Sequence, residues 1–240
     1  NGTKKVVHYL KKKKEKINFC LVGEPTNPNK LGEMIKIGRR GSLGGKIKIF
    51  GTQGHIAYPH LNNNPISTLV AICNKLKEKK LDKGNKNFQP SNLEFTNLYV
   101  NNRAHNVIPA KAEANFNIRY NNYHTANSLK KKINLVIRNY CKKTKCKFKI
   151  TYIENGNSFL TKPEKIIIMS RKIIKKITKI NPKLSTTGGT SDARFIRKIS
   201  PCLEFGPVNK TMHKVDERVL VADLNKLTNI YKNILIEYFK

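Results

Sequence analysis

One stretch of this sequence constrains its fold more than any other, because the hydrophobic period changes repeatedly within it. Lys46-Ile47-Lys48-Ile49 alternates with period two, as a strand with one buried face requires. Ile66, Leu69, Val70, Cys73 and Leu76 then follow the 3.6-residue spacing of a helix over 65–80. Two strands are expected at 92–100 and 111–120, the second alternating through Ala112, Ala114, Phe116 and Ile118. A helix over 125–142 carries Leu129, Ile133, Val136, Ile137 and Tyr140, and Phe148, Ile150 and Tyr152 alternate in a last strand. The order β-α-β-β-α-β specifies a split-βαβ (ferredoxin-like) unit, with both helices on one face of an antiparallel sheet. Residues 42–154 are therefore expected to form an inserted domain.

The flanking segments, 1–41 and 155–240, have a different texture and are expected to build one α/β domain together. Residues 3–14 suit the end of a helix, and Ile17-Asn18-Phe19-Cys20-Leu21-Val22 a short buried strand. A second extended stretch is expected at 34–39. Beyond Asn155-Gly156 come longer helices at 163–179 and 223–239, with a short strand near 202–205. The fold class is α/β, and no run of apolar residues approaches the roughly 18 that span a membrane.

The formal charge of +33 raises the question of nucleic acid, and the make-up of that charge answers it. Only nine of the 48 basic residues are Arg, whereas base recognition and stacking favour Arg with interleaved aromatics. Lys, Asn and Ile, all rich here, share AT-rich codons. A specific nucleic-acid partner is not expected. The cysteines (Cys20, Cys73, Cys141, Cys146, Cys202) are odd in number, scattered and without a C-x-x-C pair, which fits free thiols in a reducing cytoplasm.

Several short segments carry chemistry. Glu24 follows the first strand in Gly23-Glu24-Pro25-Thr26, and the carboxyl end of a strand in an open α/β sheet is where ligands bind. His213 sits in a Gly/Pro-bearing loop that leaves an apolar strand, at the same kind of edge. Taken alone, each fits an ordinary loop residue better than a metal ligand, and gains weight only from its setting. Gly51-Thr-Gln-Gly-His-Ile-Ala-Tyr-Pro-His60 crowds His55, Tyr58 and His60 into one loop, which suits either an oxyanion stabiliser or a hydrogen-bonded turn. Gly188-Gly189-Thr190-Ser191, ahead of a short helix, offers amides and hydroxyls to a carboxylate. Arg39 and Arg119 stand out in a Lys-dominated chain and fit bidentate carboxylate binding or a structural ion pair equally.

Together, Cys20-Leu-Val-Gly-Glu-Pro-Thr26, Gly38-Arg-Arg-Gly-Ser-Leu43, the 51–60 loop, Asn106-Val-Ile-Pro109, Thr186-Thr-Gly-Gly-Thr-Ser-Asp192 and Gly206-Pro-Val-Asn209 through His213 resemble the succinyl-diaminopimelate desuccinylases. These form a branch of the zinc aminoacylase and carboxypeptidase-like hydrolases, and the resemblance runs along essentially the whole chain. It implies a zinc-peptidase-like catalytic domain with an inserted dimerisation (lid) domain, and a cytoplasmic homodimer in lysine and diaminopimelate biosynthesis. The implied substrate is N-succinyl-LL-2,6-diaminopimelate, with no membrane partner. The implied cofactors are two zinc ions, cobalt being a possible substitute, with Glu24 a ligand of one and His213 of the other. His55 corresponds to the residue that reaches from the partner subunit to the oxyanion. Tyr58, Asn106 and Arg119 correspond to lid residues that contact substrate, and Arg39, Gly189, Thr190 and Asn209 to its contacts on the catalytic side. The family's remaining metal ligands and its general base would lie upstream of Asn1, so the isolated chain is expected to be inactive. Other readings are an acetylornithine deacetylase-like hydrolase and a non-catalytic dimerising remnant.

Overall fold

The computed structural model describes residues 2–78, 80–162 and 165–240. In chain order its elements are α1 (Gly2–Lys12), β1 (Cys20–Val22), β2 (Met34–Lys36), β3 (Gly38–Arg39), β4 (Gly41–Phe50), β5 (Gly54–His55), α2 (Pro65–Glu78), β6 (Asn92–Tyr99), β7 (Val107–Ile108), β8 (Lys111–Tyr120), α3 (Ala126–Thr144), β9 (Lys147–Glu154), β10 (Phe159–Leu160), α4 (Lys165–Thr178), β11 (Lys183–Ser185), α5 (Ala193–Ile196), β12 (Cys202–Glu204) and α6 (Val221–Tyr238). They fall into two compact units, Asn1–Arg39 with Phe159–Lys240, and Arg40–Ser158.

The Arg40–Ser158 unit is built on an antiparallel sheet of order β6-β8-β4-β9. That order places the first and third strands at the centre, as a split-βαβ unit demands. Alternation along β4 buries Leu43, Ile47 and Ile49 against Ala112, Ala114, Phe116 and Ile118 of β8. Leu69 and Ile72 of α2 and Leu129, Ile133 and Ile137 of α3 complete this core. Helix α3 opens with a reciprocal capping box between Thr125 and Ser128, which satisfies amide donors that a helix start leaves free. The helix expected over 65–80 is seen over Pro65–Glu78, and residue 79 lies outside the described residues.

The opposite register of the central strands carries a charge cluster. Glu113 on β8 is nearly buried and receives Lys46, Lys48 and Lys111. Hydrogen bonds from Lys46 and Lys111 hold its carboxyl down at about 2. A carboxylate whose folded pKa is depressed stabilises the fold above its unfolded value and loses that contribution as pH falls toward the folded one. Urea unfolding measured from pH 5 to pH 2 should show stability falling across this window, and Glu113→Gln should flatten that part of the profile.

A second polar cluster ties the α2–β6 connection to the turn after β8. Asp82 accepts from Gly84 N (2.7 Å), Asn121 Nδ2 (2.6 Å) and Ser91 N (3.2 Å), and its other oxygen lies 3.0 Å from His124 Nε2. His124 is thus a buried structural partner.

The other unit holds a mixed sheet of order β1-β12-β2-β11. β1 runs parallel to β12, and β11 parallel to β2, while β12 meets β2 antiparallel at Glu204 and Lys36. Ile35, Ile37, Leu203 and Phe205 pack with Ile167 and Ile174 of α4 and Ile230 and Ile234 of α6. The strand expected as buried over 17–22 is shorter, Cys20–Val22, and only half-buried. The reason is position, since β1 pairs only with β12 and sits at an edge of this sheet among the described residues. The 34–39 stretch divides into β2 and β3, the latter paired with β10. The helix expected from 163 is described from Lys165, residues 163 and 164 lying outside the described residues. All five cysteines are free, and no described helix is long and apolar enough to cross a membrane.

Candidate active site

The carboxyl ends of β1 and β12 lie side by side, so the loops that leave them must also be neighbours. Thr26 and Asn27, both buried, lock the two loops together. Asn27 Nδ2 donates to Gly206 O (2.7 Å), and Asn27 Oδ1 accepts from Gly32 N (3.1 Å) and Met34 N (3.0 Å). Asn209 N donates to Asn27 O at 2.8 Å, and Thr26 Oγ1 donates to Met34 O at 3.0 Å. Gly206 is required by close approach: a Cβ there would lie 2.3 Å from Glu24 O and 2.6 Å from Gly23 O. The backbone of Glu24 and that of the 206–213 loop are therefore fixed against each other.

A cavity of about 310 Å³ opens above this junction. Glu24, Arg39, Gly189, Thr190, Asn209 and His213, six of the residues singled out in the sequence, all line it. Glu24 is half-buried, and its carboxyl is raised by burial, then by Glu204 and Asp192, against the lowering influence of Arg39. His213 is exposed, in the left-handed backbone region (φ 61°), and its amide faces Glu217 Oε2 at 3.3 Å.

Arg39 is buried and already paired. Its Nε donates to both Glu204 oxygens (3.1 and 3.0 Å), its Nη2 to Glu204 Oε2, and its Nη1 to Thr187 O (3.1 Å). Ser191 Oγ donates to Glu204 Oε1 at 2.6 Å. Of the two readings open for Arg39, the structural ion pair is the one its side chain makes, although the residue remains on the cavity wall. Gly188 sits against it with φ 103°, and a Cβ there would meet Arg39 Nη1 at 2.4 Å. Helix α5 has only four residues, and its cap Asp192 makes no capping bond, so Gly188–Ser191 is organised by the Arg39–Glu204 pair rather than by a helix start.

Sequence reasoning missed Glu204, Asn27 and Lys36. Glu204 had a signal, being a carboxylate within an apolar strand two residues from Gly206, whereas Asn27 had none in an Asn-rich chain. Lys36, the last residue of β2, stands between the buried Ile35 and Ile37 and is itself buried on the wall of the cavity.

The remaining predicted residues belong to the other unit. β5 pairs with β7 at His55 and Val107, and Ile56 N donates to Asn106 O at 3.0 Å, which brings His55, Tyr58 and Asn106 into one exposed group. His55 and Tyr58 have ring centroids 5.9 Å apart, and His55 Nδ1 accepts from Ala57 N at 3.0 Å, so the hydrogen-bonded turn is present. Arg119 is not part of this group. It pairs with Ser42 near the start of β4, about 25 Å at the rise of a strand from Phe50, where the chain leaves toward β5.

Glu24 and His213 are donors of the types zinc takes, yet a structural or catalytic zinc needs three or four. No cluster of three or more His, Cys, Asp or Glu side chains suited to a metal ion occurs among the described residues. The donors of this chain fit zinc in kind and fall short in number.

Residues 37–145 match the family described as "Peptidase dimerisation domain". The chain is 65% identical over 239 residues to a succinyl-diaminopimelate desuccinylase of Pelagibacter ubique, covering 100% of this chain and 62% of that protein. A desuccinylase of Rickettsia rickettsii is 46% identical over 237 residues, covering 99% and 62%. The chain thus spans 62% of the length of these relatives. Among solved structures, an aminopeptidase of Bacillus cereus superposes with a TM-score of 0.80 at 15% identity, covering 98% of this chain and 61% of that one. A tripeptidase of Staphylococcus aureus gives 0.78 at 16% identity, covering 95% and 59%. These two likenesses establish the fold alone. The sequence matches go further: the chain is similar along its whole length to succinyl-diaminopimelate desuccinylases, and its residues 37–145 match a peptidase dimerisation domain.

Proposed function

We propose that the chain is the substrate-holding portion of a metal-dependent amide hydrolase that releases succinate and LL-2,6-diaminopimelate from N-succinyl-LL-2,6-diaminopimelate, in the cytoplasm and in service of lysine biosynthesis. The convergence of Glu24, His213, Arg39, Thr190 and Asn209 on one cavity supports this reading. Glu24 and His213 each contribute one ligand to a two-zinc centre whose other donors come from outside these 240 residues, and cobalt could replace zinc. Zinc at such a centre polarises a carbonyl and lowers the pKa of bound water. Within the chain, Thr190 and the Gly189 backbone hold the acyl portion, with Asn209 beside them on the loop that carries His213. The segment 42–154 serves as the lid and homodimer contact. Its exposed His55 is the donor to the developing oxyanion of a partner subunit's substrate, and Tyr58 and Asn106 contact that substrate, while Arg119, at the opposite end of β4, makes a separate substrate contact.

The test is a chimera in which the part of the Pelagibacter ubique relative that this chain does not match is joined ahead of it. The isolated chain should hold less than one zinc per molecule and show no hydrolysis, while the chimera should hold two and be active. Glu24→Gln or His213→Ala in the chimera should remove one zinc and lower kcat/KM by at least about a hundredfold, since loss of a mere outer partner of a ligand already costs about ten- to a hundredfold. Full zinc content and activity in both variants would overturn the assignment.

A further inference from the structure

We infer that Lys36 is the residue that selects acyl groups ending in a carboxylate over uncharged acyl groups, by presenting to the floor of the 310 Å³ cavity an ammonium that has no carboxylate partner among the described residues. The inference rests on the reading of that cavity as the acyl site and names the determinant of its selectivity.

Lys36 is 5% exposed, at the end of β2. Its Nζ reaches Thr187 Oγ1 (2.6 Å), Ser185 Oγ (3.2 Å) and Met34 Sδ (2.8 Å). These neutral groups orient the ammonium and leave its charge uncompensated. The charges felt at Lys36 are those of Arg39 and Glu204, and Glu204 is already committed to Arg39 and Ser191. Burial first, and then Arg39, push the amine down to about 8. A buried cation on a water-accessible cavity is stabilised by an anion that enters beside it, and a neutral chain end gains nothing there. Arg39 is less suited to that work, because its fork is filled by Glu204 and Thr187. A succinyl amide offers a carboxylate at the end of its acyl chain, whereas an acetyl amide has none.

The probes are N-methylsuccinamate, a half-amide with a terminal carboxylate, and N-methylbutyramide, its uncharged counterpart of equal length, titrated against the 240-residue chain by ligand-observed NMR. The chain should favour the carboxylate probe by about ten- to a hundredfold, the range of a hydrogen bond to a charged group. Lys36→Met and Lys36→Gln should erase that preference while leaving far-ultraviolet circular dichroism unchanged. The preference of the unmodified chain should also decline above about pH 8, where the amine loses its proton, and the variants should lose this dependence. A preference that persists in both variants would overturn the role of Lys36 and leave the acyl-site reading standing. A chain that favours neither probe would overturn the acyl-site reading itself, and the inference with it.

Discussion

Glu204→Leu should lower the free energy of unfolding by about 3–5 kcal/mol, the cost of leaving one member of a buried ion pair without its partner. Arg39 and Glu204 have side chains only 8% and 1% exposed, so water cannot take over for the missing carboxylate. The loss extends beyond the pair. Arg39 Nη1 holds Thr187 O, Ser191 Oγ holds Glu204, and Gly188 approaches the guanidinium too closely for any side chain, so the 187–191 loop is shaped around this contact. Chemical denaturation at neutral pH measures the effect. Replacing both residues with apolar side chains of similar volume, Arg39→Met with Glu204→Leu, should recover much of the stability, because no uncompensated charge then stays buried. Thr187 to Thr190 should nevertheless lose their order, and binding of N-methylsuccinamate should fall even in the stable double variant.

Asn27→Ala should cost about 3–5 kcal/mol, because it strands two buried backbone groups and a partly buried one at once, each worth about 1–3 kcal/mol when left unpaired and buried. Gly206 O, Gly32 N and Met34 N all depend on the one carboxamide. Asn27→Asp keeps the acceptor for the two amides but sets a buried carboxylate oxygen against Gly206 O. It should therefore cost about as much at neutral pH and become the milder of the two only at low pH, where the protonated carboxyl can donate again. Urea midpoints of the two variants at neutral and at low pH check the order. A functional consequence should follow in the chimera, where Asn27→Ala should reduce zinc content although it touches neither Glu24 nor His213, because their loops would no longer be held edge to edge.

These two side chains mark the limits of what the sequence makes legible. Asn27 is one asparagine among many in a Lys- and Asn-rich chain, and nothing local distinguishes it from a solvated loop residue. Its partners lie on both flanks of the sheet edge, 179 positions away in the case of Gly206. Arg39 was conspicuous by its scarcity, yet the choice between a ligand contact and an ion pair depended on Glu204, 165 positions away. Lys36 was hidden by number, being one of 39 lysines. Only its burial within β2 separates it from those in water. The strand at 17–22 was drawn too long because apolar content signals a strand without revealing that it lies at an edge.

By itself the sequence determined the order of the longer elements between Gly41 and Glu154, most of the apolar positions they bury (Val70 of α2 is exposed), and, through its short motifs, the kinship with the desuccinylases. Periodicity is a local property, and a motif is a string. Only the tertiary structure decided which carboxylate answers Arg39, which lysine is stripped of water, and which loops Asn27 binds together. Those outcomes depend on where the 1–39 and 159–240 segments meet, and a buried polar group takes its meaning from its partners in space, since it costs free energy until they arrive.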